Sequence, residues 1–391
     1  MLKDSFDFDT LYNRRLPGDI KYQIDKEHKD VIPMWIADMD FKSPDVVRIA
    51  LENAVKHGIW GYMSTDEQYD EAVISWYQKR QKWTICPEHI LKTPGVMFGI
   101  ASAIQALTKP SDAILIFQPV YHPFSKIIKG NGRRLVVSEL RYSEEKYQIE
   151  YDDFENKIVS ENVKMIIFCS PHNPISRVWT KDELMKVGEI CLKHKVWIVS
   201  DEIHSDFVYP GHQHIPIASL SDELAENCAT CTAPTKTFNL AGLQAANIVV
   251  KNRDARRKIY KAGLATGYSS LNTMAITATK AAYMYGETWL NALLSYLSRN
   301  ITLVRDCCAC SKGKMKLVEP EGTYLLWIDF RGLGMKETEL EDLLLNKASV
   351  RLYKGSIFGT CGDGFMRMNI ATPKSQLQSA LSRISDHIQM C

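Results

Sequence analysis

Three polar segments of this chain carry side chains that could grip and activate one small ligand. They are Ser170-Pro171-His172-Asn173-Pro174, Asp201-Glu202-Ile203-His204 and Ala233-Pro234-Thr235-Lys236-Thr237-Phe238-Asn239. Among them they offer an amide that donates or accepts hydrogen bonds, a carboxylate that can hold positive charge, and a lysine amine that can add to a carbonyl. Each has an ordinary alternative. Asn173-Pro174 is also a common turn, Asp201 could cap the segment after it, and most lysines are solvated surface groups. What sets the three apart is their shared position. Each directly follows an apolar run: Lys164–Cys169 (KMIIFC), Val196–Ser200 (VWIVS) and Ala229–Thr232. In an open α/β sheet, ligands bind beyond the carboxyl ends of the strands, so the three segments point to one site.

The elements that must hold these segments are legible as an alternation. Ala113–Phe117, Leu135–Val137 and Ala245–Val250 join the three runs above as strand candidates, and Lys181–His194 has helical spacing. Near-continuous apolar strands separated by helices predict a mostly parallel sheet covered on both faces, an α/β domain. Thr273–Cys310 has no proline and a single Gly286, which predicts one long or bent helix. Beyond Gly322 the spacing predicts a strand over Thr323–Phe330, a helix over Glu337–Ala348, strands over Val350–Leu352 and Phe365–Ile370, and a last helix over Lys374–Gln389. That run reads as a smaller α+β domain.

Composition narrows the function classes. At 391 residues the chain has room for two or three cores. Lys+Arg 48 against Asp+Glu 46, with no basic block, gives no sign of nucleic-acid or membrane-surface partners. No apolar run reaches the roughly 18–20 residues needed to span a bilayer, and the charged start Met1–Asp7 is unlike a signal peptide. The expectation is a cytoplasmic protein whose ten cysteines are reduced thiols. Cys307, Cys308 and Cys310 crowd together on a helical stretch with no second pair at finger spacing, so no metal is assigned to them. Nor is one assigned to His204, His212 and His214; the last two lie in a Pro/Gly-bounded loop.

Read together, these segments are part of a longer series. It runs Trp35-Ile36-Ala37-Asp38-Met39-Asp40-Phe41, Gly61-Tyr62, Pro94-Gly95-Val96, Pro119-Val120-Tyr121, then the three segments above, then Gly364-Phe365-Met366-Arg367-Met368-Asn369. In that order, over nearly the whole chain, the series resembles fold-type I pyridoxal-phosphate enzymes of the class I/II aminotransferase superfamily. More closely it resembles the cystathionine β-lyase/C–S lyase branch that includes the maltose-regulon modulator and cystalysin.

The resemblance implies pyridoxal 5'-phosphate as cofactor and assigns roles residue by residue. Lys236 resembles the lysine that forms a Schiff base with the cofactor and later serves as base at Cα. Asp201 resembles the partner of the ring nitrogen, and Asn173 the donor to the ring's phenolic oxygen, with His204 at that edge. Ile203 and Tyr121 are expected on opposite faces of the ring. Gly95, Val96 and Met97 at a helix start, with Thr235, are expected to hold the phosphate, and Tyr62 to reach the phosphate of a neighbouring subunit. That implies a homodimer with composite sites. Arg367 resembles the residue that grips the substrate α-carboxylate; on residue type alone it could equally be a surface salt bridge. Ala37, Asn173 and Tyr121 complete the expected substrate contacts. The implied division is residues 1–45 as a segment packing on the small domain, 46–285 as the large cofactor-binding domain, and 286–391 as the small domain. The implied reaction is β-elimination from L-cystathionine or other S-substituted cysteines, releasing a thiol, pyruvate and ammonia. Transamination, or a lyase with an added protein-binding role, are the alternatives. Two departures from the family stand out: Ser176 where it has glycine, which costs something if φ is positive there, and Thr235 where serine is commoner, the hydroxyl being kept. Many aminotransferases of the wider superfamily also have an arginine where this chain has Gln244.

Overall fold

A computed structural model of the chain describes residues 6–23 and 30–389; the start Met1–Ser5, which figured in the signal-peptide reading, lies outside them. A seven-stranded sheet organises the larger part. Its strands lie in the order Ile90–Thr93, Ala246–Val249, Cys228–Thr232, Trp197–Asp201, Val163–Cys169, Ala113–Gln118 and Arg134–Glu139. The last five are mutually parallel. Both faces are buried, which explains why these strands read as unbroken apolar runs. Leu115, Phe117, Ile166, Phe168 and Ile198 point into one cluster. Their neighbours Ile114, Ile116, Met165, Ile167 and Val199 point into the other, beneath the Val96–Leu107 and Arg253–Leu264 helices.

The predicted run Ala245–Val250 is a strand, but it lies antiparallel to both its neighbours. Its apolar character follows from central burial, not from direction, so sequence pattern could not tell the two apart. The strand Ile90–Thr93 was not foreseen; its four residues, ILKT, show no long apolar run.

The smaller sheet is antiparallel, ordered Lys316–Leu317, Leu325–Asp329, Phe365–Asn369 and Tyr353–Lys354. Three predicted elements differ from the expectation. The Thr273–Cys310 stretch divides into helices Thr273–Tyr285 and Glu287–Cys310 at Gly286. A Cβ at Gly286 would stand 2.5 Å from both the Ala282 carbonyl oxygen and the Phe238 ring, so only glycine permits that approach. The Glu337–Ala348 helix is α-helical over Glu337–Asp342 and widens to a π turn over Leu343–Lys347. Finally, Val350–Arg351 stays outside the small sheet and pairs in parallel with Ile32–Pro33 near the start of the chain. That pairing is what brings the Trp35–Phe41 segment to the site.

Candidate active site

A cavity of about 480 Å³ opens at the carboxyl ends of the parallel strands. Asn173 reaches it from the turn after Val163–Cys169, Asp201 from the end of Trp197–Asp201, and Lys236 from the short helix Pro234–Thr237 after Cys228–Thr232. The three segments do converge. Gly95, Val96, Met97, Tyr121, Ile203, His204, Thr235, Ala37 and Arg367 line the same cavity. Tyr62 does not: it is fully exposed on its own chain.

Local structure explains how each group is held. Asp201 accepts the Ile203 amide through Oδ1 (3.2 Å), an Asx turn and not a helix cap. It is buried and forms no ion pair among the described residues. Burial pushes its carboxyl up to about 7, opposed by the Ile203 hydrogen bond and the Lys236 charge. Lys236 donates from Nζ to the Ala37 carbonyl (2.5 Å). Burial lowers this amine to about 8, with Asp38 acting against the fall. His204, buried beside Lys236 and Arg367, is held well below the usual imidazole range, first by burial.

The Asn173 turn rests on a buried ionic frame. Arg177 donates to both oxygens of Glu183 (2.8 Å each) and to Glu321 (2.9 Å). Glu183 also closes the capping box of the Lys181–Lys193 helix with Thr180. Ser176 has φ +58°, in the left-handed region where glycine is the least strained residue. Its hydroxyl donates to the Leu325 carbonyl and lies 3.3 Å from Thr323 Oγ1.

Arg367 is not a surface ion pair. It is 2% exposed and donates to Asn173 Oδ1 (3.0 Å) and the Trp35 carbonyl (2.6 Å). It meets no carboxylate among the described residues, and its buried Nε lacks a partner. Burial lowers it to about 10, which still leaves it charged at neutral pH. A buried guanidinium without a counter-ion is costly, so the site is complete only with an anionic ligand. Because Asn173 Oδ1 faces Arg367, its amide nitrogen remains free to donate elsewhere.

These groups fit the cofactor named above. The first-turn amides of the Val96–Leu107 helix are free by helix geometry, and no side chain caps them. A Cβ at Gly95 would meet nothing within 4 Å, so the glycine leaves open space beside those amides, as an anion needs. Thr235 adds a hydroxyl to the lining, and Gln244 lines the cavity with an amide where an arginine would add charge. Ile203 and Tyr121 supply the apolar and aromatic walls.

The cavity also contains His122 and Tyr353, which sequence reasoning did not single out. His122 follows Tyr121 directly and packs 5.6 Å from the Tyr353 ring. Tyr353 stands opposite Arg367 in the small sheet, with the guanidinium 5.1 Å from its ring. His122 had a signal in its adjacency; Tyr353 had none, because only strand pairing places it.

Comparison with known proteins agrees with this geometry. The chain is 41% identical over 355 residues to "Cystathionine beta-lyase PatB" of Bacillus subtilis, covering 91% of this chain and 92% of that protein. Among solved structures it resembles a PLP-bound putative aminotransferase from Clostridium difficile 630, at 42% identity and TM-score 0.95, over 98% of this chain and 100% of that one. Cystalysin from Treponema denticola, whose structure contains pyridoxal 5'-phosphate, superposes with TM-score 0.96 at 35% identity over 99% of both chains. The family model described as aminotransferase class I and II matches residues 29–384, and the chain belongs to that family.

Proposed function

We propose that this protein is a pyridoxal-phosphate-dependent carbon–sulfur β-lyase acting on L-cystathionine or related S-substituted cysteines. The observation that carries the reading is the buried, counter-ion-free Arg367 facing a lysine, a carboxylate and an amide across one cavity. The similarity to the B. subtilis cystathionine β-lyase selects the reaction within the family.

In this reading Gly95, Val96 and Met97 bind the phosphate through backbone N–H groups, and Thr235 through its hydroxyl. Asp201 holds a proton on the ring nitrogen, Asn173 donates to the phenolic oxygen with His204 beside it, and Ile203 and Tyr121 confine the ring. When bound, the cofactor supplies the electron sink that allows loss of the Cα proton and of a Cβ thiolate. Arg367 binds the substrate α-carboxylate as a planar fork, with Ala37, Asn173 and Tyr121 around the amino-acid portion. Lys236 Nζ, which burial brings down to about 8 and so much nearer neutrality than an ordinary lysine, is the group that accepts the Cα proton.

Assembly and location belong to the same reading. Tyr62 is exposed beside exposed Ile59, Trp60 and Met63, which supports a homodimer in which it serves the neighbour's phosphate. Mixing Tyr62→Phe with Lys236→Ala subunits should then recover activity that neither parent has. The division in this reading is 1–45, 46–285 as the cofactor-binding unit and 286–391 as the smaller unit; among the described residues, the Ile32–Pro33 pairing with Val350–Arg351 supports packing of the first segment on the last. The nine described cysteines are free thiols, which suits the cytoplasm; cell fractionation checks this.

The decisive experiment supplies a panel of S-substituted cysteines without any keto acid. Thiol and pyruvate should appear, while L-alanine, which lacks a Cβ leaving group, should yield none. Amino transfer to 2-oxoglutarate with no thiol from any conjugate would replace the lyase reading with an aminotransferase. Borohydride reduction should fix the cofactor on a peptide containing Lys236, and labelling of another lysine would remove that assignment.

A further inference from the structure

Every backbone carbonyl from Trp35 to Met39 is taken by a side chain. Trp35 accepts from Arg367 Nη2 (2.6 Å) and Ile36 from Asn369 Nδ2 (2.5 Å). Ala37 accepts from Lys236 Nζ (2.5 Å) and the Tyr324 hydroxyl (3.1 Å). Asp38 accepts from Asn369 Nδ2 (2.6 Å), and Met39 from Arg14 Nη1 (2.9 Å) and Asn239 Nδ2 (3.0 Å). The two cationic groups of the cavity are therefore both held by this one turn.

The turn is also pinned by an ion cluster in which Lys21 and Asp40 are buried and Arg14, Asp19 and Asp38 are half-buried. Arg14 pairs with Asp38 (2.7 Å), Asp40 (2.9 Å) and Asp19 (3.0 Å). Lys21, whose side chain is 1% exposed, pairs with Asp40 (2.9 Å) and lies 3.4 Å from Asp38. Gln376 takes the other Asp40 oxygen at 3.1 Å. Such a cluster seldom adds net stability over apolar packing of the same volume. What it does provide is a fixed geometry, since Arg14 donates at once to Asp19, Asp38, Asp40 and the Met39 carbonyl.

We propose that Arg14 and Lys21 are positioning residues for substrate binding. Acting through Asp38 and Asp40, they fix the Trp35–Met39 turn so that the Trp35 carbonyl aims the Arg367 guanidinium into the cavity. The proposal rests on the reading of Arg367 as the α-carboxylate anchor. It adds to that reading a control of anchor geometry from the N-terminal segment, which touches no ligand itself. The groups assigned to the phosphate and the ring nitrogen (Gly95–Met97, Thr235, Asp201) lie on other elements and, among the described residues, make no hydrogen bond to the turn.

The test uses holoenzyme carrying Arg14→Met or Lys21→Met. Two quantities are read: steady-state kinetics on an S-substituted cysteine, and the Kd for L-alanine from the change it causes in the visible cofactor band. A misaligned anchor should raise both KM and that Kd about tenfold or more, with kcat within about threefold. Arg14→Lys should recover part of the loss, because it restores charge without the fork. Should the excess of acidic charge left by Lys21→Met unfold that variant, the double variant Lys21→Met/Asp40→Asn removes the buried pair together and reads the same quantities. Folded Arg14→Met with unchanged KM and Kd overturns the proposal, as does a fall in kcat at constant KM. Arg367→Ala is the control. If it leaves the L-alanine Kd unchanged, the carboxylate assignment fails and the proposal with it. If it weakens binding while Arg14→Met and the double variant do not, only the positioning role fails.

Discussion

Lys236, Asp201 and Asn173 each stand at the end of a strand in one sheet, whereas Arg367, Trp35 and Ala37 meet from opposite ends of the chain. The floor of the cavity is thus inherited from strand order: once five parallel strands align, their carboxyl ends open together. The rim has no such guarantee. It depends on the Ile32–Pro33 pairing with Val350–Arg351, on Asn369 bridging two carbonyls, and on the Arg14–Lys21 cluster. Chemistry that needs only correct alignment can sit on the floor. Recognition, which must differ among relatives sharing a fold, sits where adjustment leaves the sheet undisturbed.

Substitutions at the floor and at the rim should separate in size. Lys236→Ala removes the proton acceptor and should lower kcat/KM on an S-substituted cysteine by at least about 10³-fold. Arg367→Ala should lower it by about 30- to 10³-fold, the equivalent of roughly 2–4 kcal/mol for one lost partner of a buried charge pair. Arg367→Lys should recover only part, because an ammonium cannot reproduce the fork. A loss at Arg367 equal to that at Lys236 would erase the distinction between floor and rim.

A smaller effect concerns stability of the cofactor-free protein. The Asp201 carboxyl is raised in the fold from an ordinary value near 3.8 to about 7. Its preference for the proton stabilises the fold fully below the unfolded pKa and is lost as pH rises through about 7. Lys236, lowered to about 8, loses its proton in the fold only as pH approaches that value, a slope shared by wild type and Asp201→Asn. His172 and His122, each buried down to about 4, push the other way on the acid side. The readout is therefore a difference. The melting temperature of wild type relative to Asp201→Asn should fall as pH rises from about 5 to about 8. A parallel pair of curves would mean that Asp201 is not desolvated in the empty site.

The smallest effect lies beneath the floor, at Ser176. The positive φ favours glycine by about 1–2 kcal/mol. Against this, the hydroxyl satisfies the buried Leu325 carbonyl, worth about 0.5–1.5 kcal/mol. Ser176→Gly should therefore change the unfolding free energy by no more than about 1 kcal/mol. Ser176→Ala keeps the strain and drops the hydrogen bond, so denaturant melts should show it to be the less stable of the two.

How much was legible follows the same division. The floor was readable because burial on both faces leaves apolar runs, and a polar residue directly after such a run marks a strand end. The rim was readable only by resemblance: in isolation Arg367 is an arginine on a short strand, and Ala37 an alanine between an apolar run and Asp38. Tyr353 was invisible, since its place opposite Arg367 is a matter of register. Arg14 and Lys21 gave no signal either, because an ion cluster is defined by partners distant in sequence. The direction of Ala246–Val249 and the break at Gly286 also escaped, the first fixed by topology, the second by the approach of Phe238.

The Trp35 carbonyl and the Arg367 guanidinium are 332 residues apart in the chain. During synthesis the five parallel strands are complete by residue 232, and Lys236 and the covering Arg253–Leu264 helix follow by residue 264, so the floor can form well before the chain is finished. The Trp35 turn, made before any of them, must wait for the last strand, Phe365–Asn369, before it finds its partner. Closing so long a loop costs entropy before the hydrogen bonds at its ends can form. Substrate recognition is therefore the last property a nascent chain acquires, and one that a chain truncated before Phe365 cannot have.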